Sequence, residues 1–140
     1  MVDYRFSTSL HIMLALAYMS HRDPERLVSS SELASSTKSN PTMIRQLLVP
    51  LNEAGLIKTY RGKSGGVTLA KEAKDVSLKQ IYEASFSSKL MLSRGMGNED
   101  CPIGSNIHCV FDNVLGGMED VLMTHLEGQN LAELLKSFIK

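Results

Sequence analysis

The sequence predicts a mainly α-helical fold with one small β-hairpin, and three observations carry that prediction. Apolar residues recur at three- and four-residue spacing through most of the chain. Only one stretch, "LIKTYRGKSGGVTLA" (56–70), sets β-branched residues around a glycine-rich turn. Cap and turn residues stand between the periodic segments, where helices must start and stop.

The first helix is expected over 4–21, with Leu10, Met13, Leu14, Ala17 and Tyr18 on its buried face, and it breaks in "HRDPERL" because Pro24 lacks a backbone donor. Ser29 and Glu32 have the spacing of a capping box and open a short helix over about 30–36, with Leu33 and Ala34 inward. "TKSN" reads as a turn. Asn40 then suits an N-cap and Pro41 the first helical position, where no N–H is needed. From there Ile44, Leu47, Leu48 and Leu51 form one apolar stripe, leaving Thr42, Met43, Arg45 and Gln46 to point outward. Gly55 stops this helix. Pro50 forfeits the bond to the Gln46 carbonyl and is expected near the C-terminus, kinking the helix or ending it early.

Two short helices joined by a tight turn, the second polar and basic at its start, describe a helix-turn-helix. Any αα-hairpin shares that pattern, so the hairpin that follows matters more. Ile57, Thr59, Val67 and Thr68 favour strands, and "RGKSGG" is the turn between them. A basic-tipped hairpin directly after a helix-turn-helix makes a winged helix. Residues 61–66 are not a phosphate-cradling nucleotide loop, since the Gly-Lys-Ser order is only partly met and no strand-to-helix context follows.

Ser77 and Gln80 form a second capping box before Leu78, Ile81 and Tyr82. Residues 87–104, with Gly95, Gly97, Pro102 and Gly104, read as a loop. From about Asn106 a long helix carries Ile107, Val110, Phe111, Val114, Leu115, Met118, Val121, Leu122 and Leu126 on one stripe, more than a small domain needs to cover one helix. A partner chain is the simplest use for it. Gly116 and Gly117 inside it cost roughly 1 kcal/mol each against alanine, which close helix approach or a kink would offset. Gly128 ends it. Asn130 with Glu133 caps a last short helix carrying Leu131, Leu134, Leu135 and Phe138. The expected organisation is a winged helix-turn-helix over 1–86, a loop with Cys101 over 87–104, and a dimerisation helix with a short terminal helix over 105–140.

At 140 residues, 43% hydrophobic and 21% charged, the chain is long enough to bury a core, and no low-complexity tract suggests disorder. No apolar run approaches a membrane span, and Asp3, Arg5, Ser7 and His11 interrupt the N-terminus as they would not a secretory signal. With two cysteines and no export signal, the expected location is the cytoplasm. Net charge is zero, yet residues 38–74 hold seven cations against two anions, a balance of +5, while 98–140 hold seven anions against two cations, a balance of −5. A basic middle beside an acidic tail suits a nucleic-acid partner on one face, although two solvated faces with chance bias would give the same totals.

By element order roughly the whole chain resembles the IscR-type (Rrf) family of bacterial winged-helix transcription regulators, with specific motifs over about 31–84. The marks are the Asn-Pro start of the second helix, "AGLI" before the wing, "RGKSGG" followed by "TLA", and the "VSLKQIYEA" helix. Val67 departs from the aromatic residue common after the wing glycines, and Pro50 is also unusual. The resemblance implies a homodimer, paired antiparallel through the long helix, that binds double-stranded DNA and acts as a repressor. DNA contacts would come from Ser39, Asn40, Thr42, Met43, Arg45 and Gln46 and, on the wing, Tyr60, Arg61, Lys63 and Ser64. A winged helix that binds protein and no DNA is the alternative.

"NEDCPIGSNIHC" (98–109) holds both cysteines, Cys101 and Cys109. Family members with an iron–sulfur cluster carry three cysteines here, and a cluster needs four ligands, so Glu99, Asp100, His108 or a partner subunit would have to complete one. Zinc meets the same shortage. The favoured reading has no cofactor and no metal, with Cys101 and Cys109 as redox- or electrophile-sensing thiols. Cys101 lies just before a helix start, where unpaired N–H groups favour a thiolate. Two inert thiols are the plain alternative. Enzyme chemistry is not expected: His11, His21, His108 and His125 have no partner at motif spacing, and His125 sits on the apolar stripe as a core or interface residue.

Overall fold

A computed structural model describes residues 3–86 and 97–139. Helix α1 spans Arg5–Arg22, α2 Ser30–Thr37 and α3 Pro41–Glu53. Strands β1 (Ile57–Tyr60) and β2 (Gly66–Leu69) follow, then a 3-10 turn at Ala73–Asp75, α4 (Leu78–Ser85), α5 (Ile107–Glu127) and α6 (Leu131–Leu135). The fold is mainly helical with one two-stranded antiparallel hairpin, as expected.

Helix α1 is the central element, packed against α2, α3, α4, α6 and β2. Its buried residues are Ser9, Ile12, Met13, Leu16 and Ala17. The face expected from spacing was rotated: Leu10, Leu14 and Tyr18 are only half-buried. With Met19 and Phe138 they border an open apolar groove of about 580 Å³. A helix apolar around most of its girth has two candidate faces, and the neighbours packed on it decide between them.

Both capping boxes form. The Ser29 hydroxyl accepts from the Glu32 N–H at 3.1 Å while the Glu32 carboxylate accepts from the Ser29 N–H at 2.9 Å. Ser77 and Gln80 do the same at 3.2 and 3.0 Å. Asn40 caps α3, its Oδ1 accepting from the Thr42 N–H at 2.7 Å, with Pro41 in the first turn. Helix α3 buries Ile44, Leu47, Leu48 and Leu51, the expected stripe. Pro50 sits in its last turn and does not end it: the helix runs on to Glu53, and the Pro50 carbonyl still accepts from the Ala54 N–H at 3.0 Å. Gly55, at φ +75°, then reverses the chain. Its N–H reaches the Asn52 carbonyl at 3.0 Å, and the Leu56 N–H reaches Leu51 at 3.1 Å. This paired closure brings Leu51 and Leu56, both buried, together at the entry to the hairpin.

The hairpin pairs Ile57 with Leu69 through Tyr60 with Gly66. Sequence periodicity did not show a third partner: Val28, between α1 and α2, exchanges two backbone bonds with Val67 at 2.8 and 2.9 Å. Gly66 is needed at that crossing, since a Cβ there would lie 2.9 Å from Leu27 Cβ and from the Val28 carbonyl oxygen. Val67 is buried, so the missing aromatic leaves the wing root closed by two valines.

The C-terminal region divides differently from expectation. Leu126, Leu131 and Leu135 belong to the same core as Ile12, Leu16 and Ile81. The starts of α4 and α6 are tied by bonds from Leu78 N–H to Gln129 O and from Leu131 N–H to Val76 O, each 3.0 Å. Helix α6 ends at Leu135, and Phe138, expected on its apolar face, is exposed beyond it. Upstream, α5 stands apart: of its 21 residues only Leu126 is fully buried. Val110, Val114, Met118 and Val121 are 51, 55, 54 and 72% exposed. His125 is exposed, bonded to Gln129 at 3.1 Å, so it is no core residue. Among the described residues, nothing beyond their own helix backbone lies within 4 Å of where a Cβ on Gly116 or Gly117 would stand, so neither serves close packing against another element there. The loop expected over 87–104 lies partly outside the described residues, Gly95 with it.

Because α6 closes the winged-helix core, Leu131→Ala should lower unfolding free energy by about 2–4 kcal/mol. Urea denaturation followed by circular dichroism should show one transition at a lower midpoint with an unchanged slope.

Candidate nucleic-acid interface and thiol loop

The outward face of α3 follows from what its inner face buries. Thr42, Arg45 and Gln46 are exposed opposite the Ile44–Leu51 stripe. Arg45 Nη2 donates to Thr42 Oγ1 at 3.5 Å. Met43, expected outward, is half-buried and packs against the core. It borders a cleft with Leu47, Pro50 and Ala84, because α4 covers that flank of α3. A position 100° from Thr42 cannot share its exposure once a second helix lies alongside. Val49 was missed. It is 56% exposed and stands seven residues after Thr42, on the same stripe, a spacing that would have found it.

The turn into α3 uses part of its own polar equipment. Lys38 adopts left-handed backbone at φ 54°, the Ser39 N–H bonds to Ala34 O at 2.9 Å, and the half-buried Ser39 hydroxyl donates to Thr37 O at 3.4 Å. Asn40 spends its carbonyl oxygen on the cap. On the wing, Tyr60 is 51% exposed at the mouth of the turn, and Arg61, Lys63 and Ser64 are exposed at its tip. Gly62 holds φ +99° and accepts from the Gly65 N–H at 3.0 Å, while a Cβ on Gly65 would run into the Tyr60 carbonyl. Helix α3 packs directly on β1, so α3 and the wing belong to one packed unit.

Charge also marks this region. Among the described residues, Lys38, Arg45, Lys58, Arg61 and Lys63 have no carboxylate within 4 Å, as is true elsewhere of Arg22 and Lys71, whereas Arg5, Arg26, Lys74, Lys79 and Lys136 are all paired. Unpaired exposed cations on a projecting helix and an adjacent wing are equipped to meet phosphate oxygens.

The thiols lie elsewhere. Residues 97–106 form a compact loop: the Gly97 N–H bonds to Gly104 O at 3.2 Å, the Cys101 N–H to Asn98 O at 3.2 Å, and the Ser105 N–H to Cys101 O at 2.9 Å. Asn106 Nδ2 donates to Pro102 O at 2.8 Å. The N–H groups of Gly104 and then Ile103 donate to the Cys101 sulfur and hold its thiol below the ordinary cysteine range, against a smaller opposing effect of burial. The stabilising donors are therefore loop amides, where the helix start had been expected; α5 begins only at Ile107. Cys101 is half-buried and Cys109 exposed, neither in a disulfide, and His108 faces Cys109 with Nε2 3.4 Å from Sγ.

Residues 2–137 match the Rrf2 family, described as an iron-dependent transcriptional regulator. This chain belongs to the Rrf2 family. It is 26% identical over 133 residues to the HTH-type transcriptional regulator IscR of Cereibacter sphaeroides, covering 95% of this chain and 84% of that one. A solved structure from Lactobacillus plantarum superposes with a TM-score of 0.79 at 28% identity, covering 98% of this chain and 91% of that one. CymR, the global cysteine regulator of Bacillus subtilis, shares the fold at a TM-score of 0.67 and 22% identity, covering 98% of this chain and 97% of its own. The protein is thus an HTH-type transcriptional regulator of the Rrf2 family with a winged-helix fold, and not an enzyme. The family's iron finds a thin donor set here. The chain has two cysteines, and no group of three or more His, Cys, Asp or Glu side chains gathers to hold a metal among the described residues. Within one chain these residues do not fit a cluster.

Loop amides that stabilise the thiolate predict that Cys101 in a Cys109→Ser variant reacts with iodoacetamide as thiolate at lower pH than a free cysteine. The rate should hold as pH falls below ~8.5, the ordinary thiol value, and drop only at the lowered one. Gly104→Ala, whose Cβ would lie 2.6 Å from Asn98 O, should displace the donor and move the midpoint back up. Mass spectrometry of the alkylated peptide across pH measures both.

Proposed function

We propose that this protein is a homodimeric repressor that reads a roughly palindromic DNA site through two copies of α3, and that oxidation of Cys101 releases it. The observation that carries the reading is the exposed Thr42–Arg45–Gln46 face beside the Arg61–Lys63–Ser64 wing tip, with no carboxylate paired to its cations. Thr42, Arg45 and Gln46 would meet base edges in the major groove. Tyr60, Arg61, Lys63 and Ser64 would meet phosphate or the minor groove, and Ser39 and Asn40 would approach the backbone at the start of α3. Met43 would support α3 from behind. Action on the chromosome places the protein in the cytoplasm, with no metal or cofactor required.

The exposed stripe on α5 supports the dimer. Four large apolar residues more than half exposed on one helix are costly in water and suit a second copy of the same face, related by a two-fold axis. Two-fold symmetry would then set the two α3 helices one helical turn of DNA apart. Control at Cys101 would act on that spacing, since its loop precedes α5. The thiolate attacks a peroxide, the O–O bond breaks, hydroxide or alkoxide leaves, and Cys101 becomes a sulfenic acid. A second thiol, Cys109 or the other subunit's, then displaces water and forms a disulfide.

DNA affinity should fall steeply with salt. Lys63→Ala should weaken all sequences alike and reduce the slope by about one, while Arg45→Ala or Gln46→Ala should relax base preference by roughly 1–3 kcal/mol. Fluorescence anisotropy on selected duplexes separates the two effects; equal binding by all three variants and the parent would refute the docking.

Val114→Asp should give monomers in sedimentation, because an unpaired carboxylate would be buried at the interface. Cys101→Ser should bind DNA equally before and after peroxide, whereas the parent loses binding.

A further inference from the structure

Val49 is an exposed residue of α3 that the protein's own packing does not explain. A single apolar surface residue is ordinary, so its 56% exposure carries nothing by itself. Its position does. Thr42, Arg45, Gln46 and Val49 fall within about 100° of one another around the helix, opposite Ile44, Leu47, Leu48 and Leu51. The outer stripe is therefore a hydroxyl, a guanidinium, an amide and a pair of methyl groups, with no acid between Lys38 and Asn52. A β-branched side chain in a helix is held almost entirely in one rotamer, so the Val49 methyls point in a fixed direction. The next residue, Pro50, is half-buried in the cleft between α3 and α4, which secures that turn of the helix.

We infer that Val49 is a specificity residue that recognises the 5-methyl group of a thymine in the major groove. This rests on the DNA-reading function proposed above. In that groove the thymine methyl is the apolar feature that a base edge offers; cytosine presents an amino donor beside a bare C5–H. Seven residues of helix advance about 10 Å, close to three base-pair steps of about 3.4 Å. The thymine is therefore expected about three base pairs from the base under Thr42, in each half-site. Arg45 and Gln46 read hydrogen-bonding groups between them.

The test starts from duplexes selected from a random 30-base-pair library by the full-length protein. Each thymine of the selected site is then replaced in turn by deoxyuridine, which removes only the methyl group. One thymine per half-site should be sensitive, its replacement weakening parent binding about three- to fivefold. Val49→Ala should lose a similar factor on the thymine site and become indifferent to that replacement, while Val49→Ile keeps the response. Matching thermal midpoints for the variants would show that the exposed position leaves the fold intact. If parent and Val49→Ala respond alike to every deoxyuridine, the inference is overturned while DNA reading stands. If selection enriches no sequence, the DNA-reading function itself falls, and this inference with it.

Discussion

Burial of Ile44, Leu47, Leu48 and Leu51 against α1 and α2 is the constraint on which the rest of the molecule depends. With those four side chains inside, the helix cannot turn, and Thr42, Arg45, Gln46 and Val49 must face out. The same stripe reaches the hairpin. Leu51 accepts the closing bond from Leu56, so a residue in the last turns of α3 also aims the first strand. A change that loosened this core would therefore misdirect helix and wing together.

The C-terminal segment completes that core and then leaves something unfinished. Leu126, Leu131 and Leu135 seal α1 and α4 from the far side, and paired backbone bonds lock the starts of α4 and α6. Just upstream, α5 presents Val110, Val114, Met118 and Val121 to solvent. One chain thus holds a packed winged-helix unit joined to a helix whose apolar stripe is uncovered among the described residues. In a symmetric regulator the cover would also set the distance between reading heads.

The thiol loop illustrates how backbone geometry can make chemistry from few residues. Gly97 and Gly104 approach so closely that a Cβ on Gly97 would lie 2.7 Å from Gly104 Cα. That approach folds the loop and turns the Ile103 and Gly104 amides toward the Cys101 sulfur. Fixed amide dipoles favour the thiolate, which the nearby Glu99 and Asp100 would otherwise oppose. His108 faces Cys109 and not Cys101.

Much of this was legible in the sequence because it depends on local chemistry. Caps at Ser29, Asn40, Ser77 and Asn130, the glycine stop at Gly55 and the glycine-rich wing turn act over three to six residues, so their signals survive in one dimension. The α3 stripe was also legible, because one face of that helix is strongly apolar and the other is not. Tertiary structure decided what depends on neighbours far along the chain. It chose between two apolar faces of α1, turned Met43 inward under α4, and joined Val28 to Val67. It also drew α6 into the winged-helix core. Periodicity gives a helix a candidate face, but which candidate is buried depends on the elements that pack against it, and those contacts are long-range.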